Sequence, residues 1–210
     1  MATLQIIGIP ASTYTRVARM ACEEKGIDYD LVPAMPHSPE VDAIHPFGKI
    51  PVMRHGEFEL CETKAIATYL DKNFGGPKLI PEDPRAAAAT EKWVSIVNTM
   101  VDPLWVRRYN FAYIFPKTTD GSPDRAVIDA AVPDMRKQAD ILDRGLASGG
   151  FSGNGYSFAD INLMPILFYT QKFPEGAEII NGAKHLKAFY ERNAERASFR
   201  NTDPPPPPKR

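Results

Sequence analysis

Cysteine is scarce in this sequence. The 210 residues include two cysteines, Cys22 and Cys61, which are not arranged as C-x-x-C. Disulfides occur mainly in proteins of oxidising compartments, and closely spaced cysteine pairs mark redox or metal sites. We therefore expect no disulfides and a reducing, cytoplasmic environment.

An excess of charge of one sign and long apolar runs are also absent. The chain has 25 basic and 26 acidic residues, and the body of the chain contains no basic cluster of the kind that binds nucleic acid. No apolar stretch approaches the ~18 residues needed to span a bilayer. The first ten residues lack the basic region of a signal peptide. We expect neither a nucleic-acid partner nor a membrane location.

The first part of the chain alternates strand and helix patterns. The predicted order is β-α-β-α-β-β-α, which is typical of mixed α/β folds. The strands are predicted at 3–9, 27–32, 51–54 and 57–60, and the helices at 15–25, 38–44 and 63–74. Either Ser12 or Thr13 can cap the first of these helices, and Gly26 can end it. His55-Gly56 forms a plausible turn between the last two strands.

Strand patterns disappear after a loop rich in proline and glycine. We predict a domain at 1–76, a linker at 77–84, an all-helical domain at 85–200 and a proline-rich tail at 201–210. Long helices are expected at 85–115 and 123–146, and shorter ones at 157–170 and 182–193. Ser157 and Asp160 have the spacing of a capping box. Five consecutive prolines lead us to expect that the chain from Asp203 lies outside the fold, so that deletion after Thr202 is harmless.

Four short motifs occur in a characteristic order. They are Pro10-Ala11-Ser12 followed by Arg16, the run Phe47-Gly48-Lys49-Ile50-Pro51-Val52, the pair Glu62-Thr63, and Ser157-Phe158-Ala159-Asp160. Together they resemble the cytosolic glutathione S-transferases over residues 1 to about 200, and within them the serine-type, phi-like enzymes of plants and bacteria. The resemblance implies an α/β thioredoxin-like N-terminal domain followed by an all-α domain, in a homodimer.

The resemblance also implies an activity. The chain would be a detoxifying transferase that adds the thiolate of glutathione, its co-substrate, to small apolar electrophiles. A reductase of the same fold would be expected to carry cysteine at position 12, where this chain has Ser12. A carrier that binds glutathione or apolar ligands without turnover, and a glutathione-dependent isomerase or dehalogenase, remain alternatives.

Pro51 opens a strand, where a proline has no N–H for the sheet. Within this motif we expect the Ile50–Pro51 bond to be cis, so that the backbone of Ile50 faces outward. The resemblance implies that this backbone pairs with the cysteinyl unit of glutathione. Glu62 directly precedes a predicted helix, and Thr63 is its first residue. The N-terminus of a helix can bind a carboxylate. We expect Thr63 to hold the γ-glutamyl carboxylate and Glu62 its ammonium group.

A cation can pair with the glycine carboxylate of glutathione. Lys49, beside Ile50, and His37, in the loop after the second strand, are the candidates. The remaining histidines, His45, His55 and His185, have no metal-ligand spacing, and we expect no metal site.

The thiol itself is expected at the start of the first helix. A hydroxyl donor and a helix N-terminus both favour a thiolate. Thr13 and Tyr14 are rival hydroxyls, but the resemblance favours Ser12, which stands four residues before Arg16.

The electrophile is expected over the sulfur, against the first long helix. Helical spacing puts four residues on or near one face of that helix. These candidates for an electrophile pocket are Trp105, Arg108, Tyr109 and Tyr113. An aromatic stripe of this kind also fits a helix that faces a protein core.

Overall fold

The computed structural model describes residues 3–148, 150–152 and 155–205. These residues form two compact units, divided between Ile80 and Pro81. The chain from Glu195 onward belongs again to the first unit, so unit 1 is built from both ends of the sequence. The first division lies within the linker predicted at 77–84, whereas the helical domain was predicted to continue to residue 200.

Unit 1 contains a four-stranded sheet in the order β2-β1-β3-β4. Strand β1 pairs parallel with β2 and antiparallel with β3, which pairs antiparallel with β4. The strands are β1 (Leu4–Ile7), β2 (Tyr29–Val32), β3 (Val52–His55) and β4 (Phe58–Cys61), and the helices between and after them are α1 (Thr13–Lys25), α2 (Pro39–Asp42) and α3 (Thr63–Asn73). The predicted β-α-β-α-β-β-α order is confirmed.

Helix α1 begins and ends where its capping residues indicate. Ser12 is its N-cap and accepts a hydrogen bond from the N–H of Thr15 at 3.3 Å. Gly26 ends the helix with φ 65°, a left-handed conformation that glycine adopts without steric cost, and its N–H donates to carbonyls of the last turn. Of the two possible N-caps, Ser12 and Thr13, the structure selects Ser12.

Unit 2 consists of helices. They are α4 (Pro84–Ile96), a π-helical stretch (Val97–Asn110), α5 (Phe111–Ile114), α6 (Arg125–Gly145), α7 (Phe158–Thr170), α8 (Pro174–Gly182) and α9 (Lys184–Ala194). The first three are consecutive, as the predicted helix at 85–115 requires. Pro103 lies in the π-helical stretch and has no N–H to donate to the preceding turn. None of the helices in the described part of the chain is long and apolar enough to cross a membrane.

The capping box of α7 is present. Asp160 Oδ2 accepts from the N–H of Ser157 at 2.8 Å and from its hydroxyl at 2.6 Å. Asp160 also accepts from the N–H of Phe151 at 3.2 Å, so the same carboxylate ties the preceding loop to the start of the helix.

The end of the described chain folds back onto α1 through a last helix, α10 (Ala197–Asn201). Arg16 of α1 has no exposed surface. Its guanidinium donates to the carbonyl of Phe199 at 2.8 Å and to the carboxylate of Asp203 at 2.5 Å, and lies 4.0 Å from the centre of the Phe199 ring. Because Asp203 is paired and Thr202 is buried, the predicted tail at 201–210 starts too early. Residues 206–210 of that tail lie outside the described residues.

Other residues of α1 bind the same returning segment. Arg19 donates to the carbonyls of Asn201 and Thr202, both at 3.2 Å. The carboxylate of Glu24 accepts from the guanidinium of Arg196 at 2.6 and 2.7 Å and from the hydroxyl of Ser198. The first, second and last turns of α1 are therefore all fixed by residues from beyond position 195.

We predict that Asp203→Asn destabilises the protein by about 1–2 kcal/mol, because it removes the carboxylate that neutralises a buried guanidinium. Asp134→Asn is the matched control: the side chains of Asp203 and Asp134 are both 56% exposed, but Arg16 is 0% exposed and Lys137, the partner of Asp134, is 74% exposed. The control should cost less than ~0.5 kcal/mol. Equal free energies of unfolding for the two variants, from urea titrations, would contradict the prediction. Deletion after Thr202 should resemble Asp203→Asn rather than be harmless.

Candidate active site

The start of α1 presents a hydroxyl whose proton is available. The half-buried Ser12 Oγ uses a lone pair to accept from the N–H of Thr15 at 3.3 Å, and no described residue accepts its proton. A serine hydroxyl has one proton to donate besides its lone pairs, and the helix N-terminus adds a positive dipole end. Helix capping and donation to an anion are therefore compatible in the same side chain.

The loop before β3 lies against the start of α1. The Ile50–Pro51 peptide is cis, which confirms the prediction for this bond. A Cβ added to Gly8, directly after β1, would lie 2.5 Å from Thr15 Oγ1 and 3.2 Å from Ile50 Cβ. Glycine is thus required at position 8 for the close approach of these side chains, and Ile50 and the first turn of α1 are neighbours.

Glu62 and Thr63 lie next to Pro51 because of the sheet register. Val52 pairs with Cys61, so Pro51 and Glu62 are the next residues of two adjacent strands. Glu62 is the N-cap of α3 with φ 69° and ψ 116°, and its side chain makes no capping bond and is 70% exposed. A non-glycine residue with positive φ is uncommon and is often found at functional sites. The N–H of Thr63, the first residue of α3, has no acceptor within the helix.

His37 and Lys49 belong to the same loop region. The N–H of His37 donates to the carbonyl of Gly48 at 2.9 Å, and its Nδ1 is 3.6 Å from Asp42 Oδ1. Lys49 follows Gly48 and is exposed. The backbone hydrogen bond thus places His37 beside Gly48, two residues before Ile50, and Lys49 directly precedes Ile50 in the chain. Among the described residues there is no group of three or more metal-binding side chains that could hold an ion.

The four residues expected to bind the electrophile belong to unit 2 and differ in exposure. Trp105 and Tyr109 have no exposed surface, Arg108 is exposed and Tyr113 is half-buried. The burial of Trp105 and Tyr109 favours a core role, so only Arg108 and Tyr113 retain surface that a ligand can contact.

The tyrosine hydroxyls are engaged by a carboxylate of α8. Tyr109 and Tyr113 donate to Glu175 Oε2 at 2.9 and 2.6 Å, and Arg125 donates to Oε1 at 2.8 Å. Burial raises the pKa of Glu175, but the hydrogen bonds from Tyr113 and Arg125 outweigh it and lower the pKa from 4.5 to about 2. The network is a structural link within unit 2.

Comparison with protein families identifies the chain. Residues 6–78 match the glutathione S-transferase N-terminal domain, and residues 89–197 match the glutathione S-transferase C-terminal domain. The chain belongs to the glutathione S-transferase family. The protein is therefore a transferase, and the plant relatives described next support the phi-like group that its sequence motifs indicated.

Individual relatives cover nearly the whole transferase. Glutathione S-transferase 3 of Zea mays is 29% identical over 222 residues, covering 99% of this chain and 98% of the relative. The crystal structure of glutathione transferase F7 from Populus trichocarpa has a TM-score of 0.86 at 30% identity, with 95% and 97% of the two chains covered. A glutathione S-transferase from Methylobacillus flagellatus with GSH bound has a TM-score of 0.80 at 26% identity, with 97% and 100% covered.

We predict that Gly8→Ala lowers both the stability and the glutathione affinity of the transferase, since the added methyl group forces Ile50 and the first turn of α1 apart. Overpacking of this kind typically costs about 1–3 kcal/mol. Gly75→Ala is the control, because a Cβ there meets nothing within 4 Å. Thermal melts and the KM for glutathione measure the two effects. An unchanged KM in Gly8→Ala would show that the close approach of Ile50 to the first turn of α1 does not affect glutathione binding.

We predict that Glu175→Gln destabilises the transferase at neutral pH by an amount on the order of 1–3 kcal/mol. Because folding lowers the pKa of Glu175 from 4.5 to about 2, its contribution is complete above pH 4.5 and is lost as the pH falls towards 2. The stability difference between wild type and variant should shrink over that range. Glu178→Gln, whose carboxylate is 67% exposed and pairs with Arg136, should show little difference at any pH.

Proposed function

We propose that this transferase adds the thiolate of glutathione to apolar electrophiles and that Ser12 stabilises the thiolate. The availability of the Ser12 hydroxyl proton at the N-terminus of α1 is the observation that carries the proposal. A free thiol has a pKa of about 8.5, so only a few per cent is ionised at pH 7. Lowering that pKa by ~2 units requires ~2.7 kcal/mol, within reach of one charge-assisted hydrogen bond and a helix dipole.

Glutathione would be held along the edge of unit 1 where Pro51 and Glu62 are adjacent. Its cysteinyl backbone would pair with Ile50 next to Pro51, its γ-glutamyl carboxylate with the N–H and hydroxyl of Thr63, and its ammonium group with Glu62. Two features support this assignment: Ile50 adjoins the first turn of α1, and the Glu62 carboxylate is exposed and makes no bond to α3.

The glycine carboxylate would meet Lys49, with His37 as a second cation from the same loop. The GSH bound to the Methylobacillus flagellatus relative supports glutathione as the ligand. The proposed chemistry uses no metal, because the Ser12 hydroxyl and the N-terminus of α1 would together stabilise the thiolate.

The electrophile would be bound by unit 2, through Arg108 and Tyr113 among the four residues proposed from the sequence. Trp105 and Tyr109 would support that surface from the interior. In the reaction the sulfur forms a bond to the electrophilic carbon, and the leaving group or the adjacent atom takes the electron pair. We also propose a homodimer in the cytoplasm, as the resemblance to the family implies.

The test of Ser12 is the pH dependence of kcat/KM for glutathione with a chromogenic aryl halide. On the acidic side of the profile, Ser12→Ala should raise the pH at which kcat/KM is half-maximal towards the pKa of a free thiol. The reason is that the hydrogen-bond donor to the thiolate is lost. The substitution should lower kcat at neutral pH and leave the affinity for glutathione nearly unchanged.

Thr13→Val and Tyr14→Phe are the matched controls, since each removes a neighbouring hydroxyl of the same turn. Neither should move the midpoint. A shift in Tyr14→Phe without one in Ser12→Ala would replace serine with a phenol as the activating group. Tight glutathione binding by the wild type without turnover of any electrophile would favour the carrier.

A further inference from the structure

His45 is a buried histidine beside the proposed glutathione-binding residues, and the function proposed above gives it no role. The residue is 4% exposed. Both of its ring nitrogens face polar groups: Nδ1 accepts from the N–H of Phe47 at 3.0 Å, and Nε2 lies 3.5 Å from Glu62 Oε1. The imidazole of His45 therefore lies between the loop before Pro51 and Glu62, the residue that precedes α3.

The backbone fixes which ring nitrogen carries the proton. The N–H of Phe47 can only donate, so Nδ1 must be unprotonated, and the proton of the neutral ring lies on Nε2. Nε2 is the ring nitrogen next to the carboxylate of Glu62, with 3.5 Å between Nε2 and Oε1. The backbone that carries the ring is fixed as well: the N–H of His45 donates to the carbonyl of Val41 at 2.7 Å, and the carbonyl of His45 accepts from the N–H of Gly48 at 2.9 Å.

A partner of this kind restricts the conformations of the Glu62 side chain. The backbone of Glu62 has a positive φ of 69°, and its side chain makes no capping bond to α3 and is 70% exposed. A glutamate side chain with no fixed contact samples many rotamers, and fixing it costs conformational entropy. A rigid N–H donor on one side of the carboxylate reduces that cost before any ligand binds.

We infer that His45 is a positioning residue, which orients the Glu62 carboxylate towards the ammonium group of a γ-glutamyl ligand. The inference rests on the proposed role of Glu62. It assigns to His45 a share in selecting thiols with a γ-glutamyl group over thiols without one, although His45 itself touches no substrate.

Two substitutions separate the two contacts of the ring. The side-chain oxygen of Asn can replace Nδ1, so His45→Asn keeps an acceptor for the N–H of Phe47 and loses the donor to Glu62. The amide of the longer Gln can replace Nε2, so His45→Gln keeps a donor for Glu62. The readout is the ratio of kcat/KM for glutathione to kcat/KM for cysteinylglycine, which lacks the γ-glutamyl group, with one aryl halide as electrophile.

His45→Asn should lower that ratio about three- to tenfold through the KM for glutathione, with kcat unchanged, as expected for the loss of one polar contact to a charged carboxylate. His45→Gln should restore most of the ratio. In a background of Glu62→Gln, His45→Asn should have no further effect, because the two residues act through one contact.

Two outcomes would overturn the inference and can be told apart. If Glu62→Gln lowers the ratio and His45→Asn does not, or if His45→Asn weakens both thiols equally, His45 has only a structural role and the proposed function stands. If Glu62→Gln itself leaves the ratio unchanged, the proposed role of Glu62 fails and the inference fails with it. Thermal melts of each variant establish that it is folded.

Discussion

A guanidinium with no contact with water is the constraint around which unit 1 is organised. Arg16 stays charged at any pH a protein experiences, and a buried charge is tolerated only if it is paired and hydrogen-bonded. The carbonyl of Phe199 and the carboxylate of Asp203, both from the end of the described chain, accept hydrogen bonds from this guanidinium. The chain must therefore return to α1 after completing unit 2, and the helix that begins at Ser12 is held by that return.

The candidate site follows from the register of three strands. Ile7 pairs with Val52, and Val52 with Cys61, so these residues lie side by side at the same end of three adjacent strands. At that end of the sheet, strands β1 and β4 end and strand β3 begins. The loop to Ser12, the loop through Ile50 and the start of α3 consequently meet there, although they are far apart in sequence. Sheet pairing, more than any single motif, brings the loop to Ser12, the cis Ile50–Pro51 bond and the Glu62 carboxylate to the same ends of these strands.

The features that could be predicted from the sequence are those with local causes. The caps at Ser12 and Gly26 and the Ser157–Asp160 box are set by residues within one helical turn, and the alternating strand patterns gave the order of elements in unit 1. Contacts between distant residues left no such signal. Tyr109 and Glu175 are 66 positions apart, so the sequence alone could not distinguish an aromatic stripe in the core from one in a pocket. Helix α8 was missed although Pro174 and Glu175 at its start are typical first-turn residues.

The discontinuity of unit 1 has a consequence for how the protein is made. A ribosome synthesises the chain from the N-terminus, so all four strands and α1 emerge well before residues 195–203 exist. During that interval Arg16, Arg19 and Glu24 have to remain hydrated or bind elsewhere, and the N-terminal unit cannot reach its final packing. Unit 2, which is continuous in sequence, can be completed first. Unit 1 can therefore reach its final packing only after unit 2 has been synthesised, and a chimera that exchanges the N-terminal part of unit 1 has to exchange the segment from Glu195 onward as well.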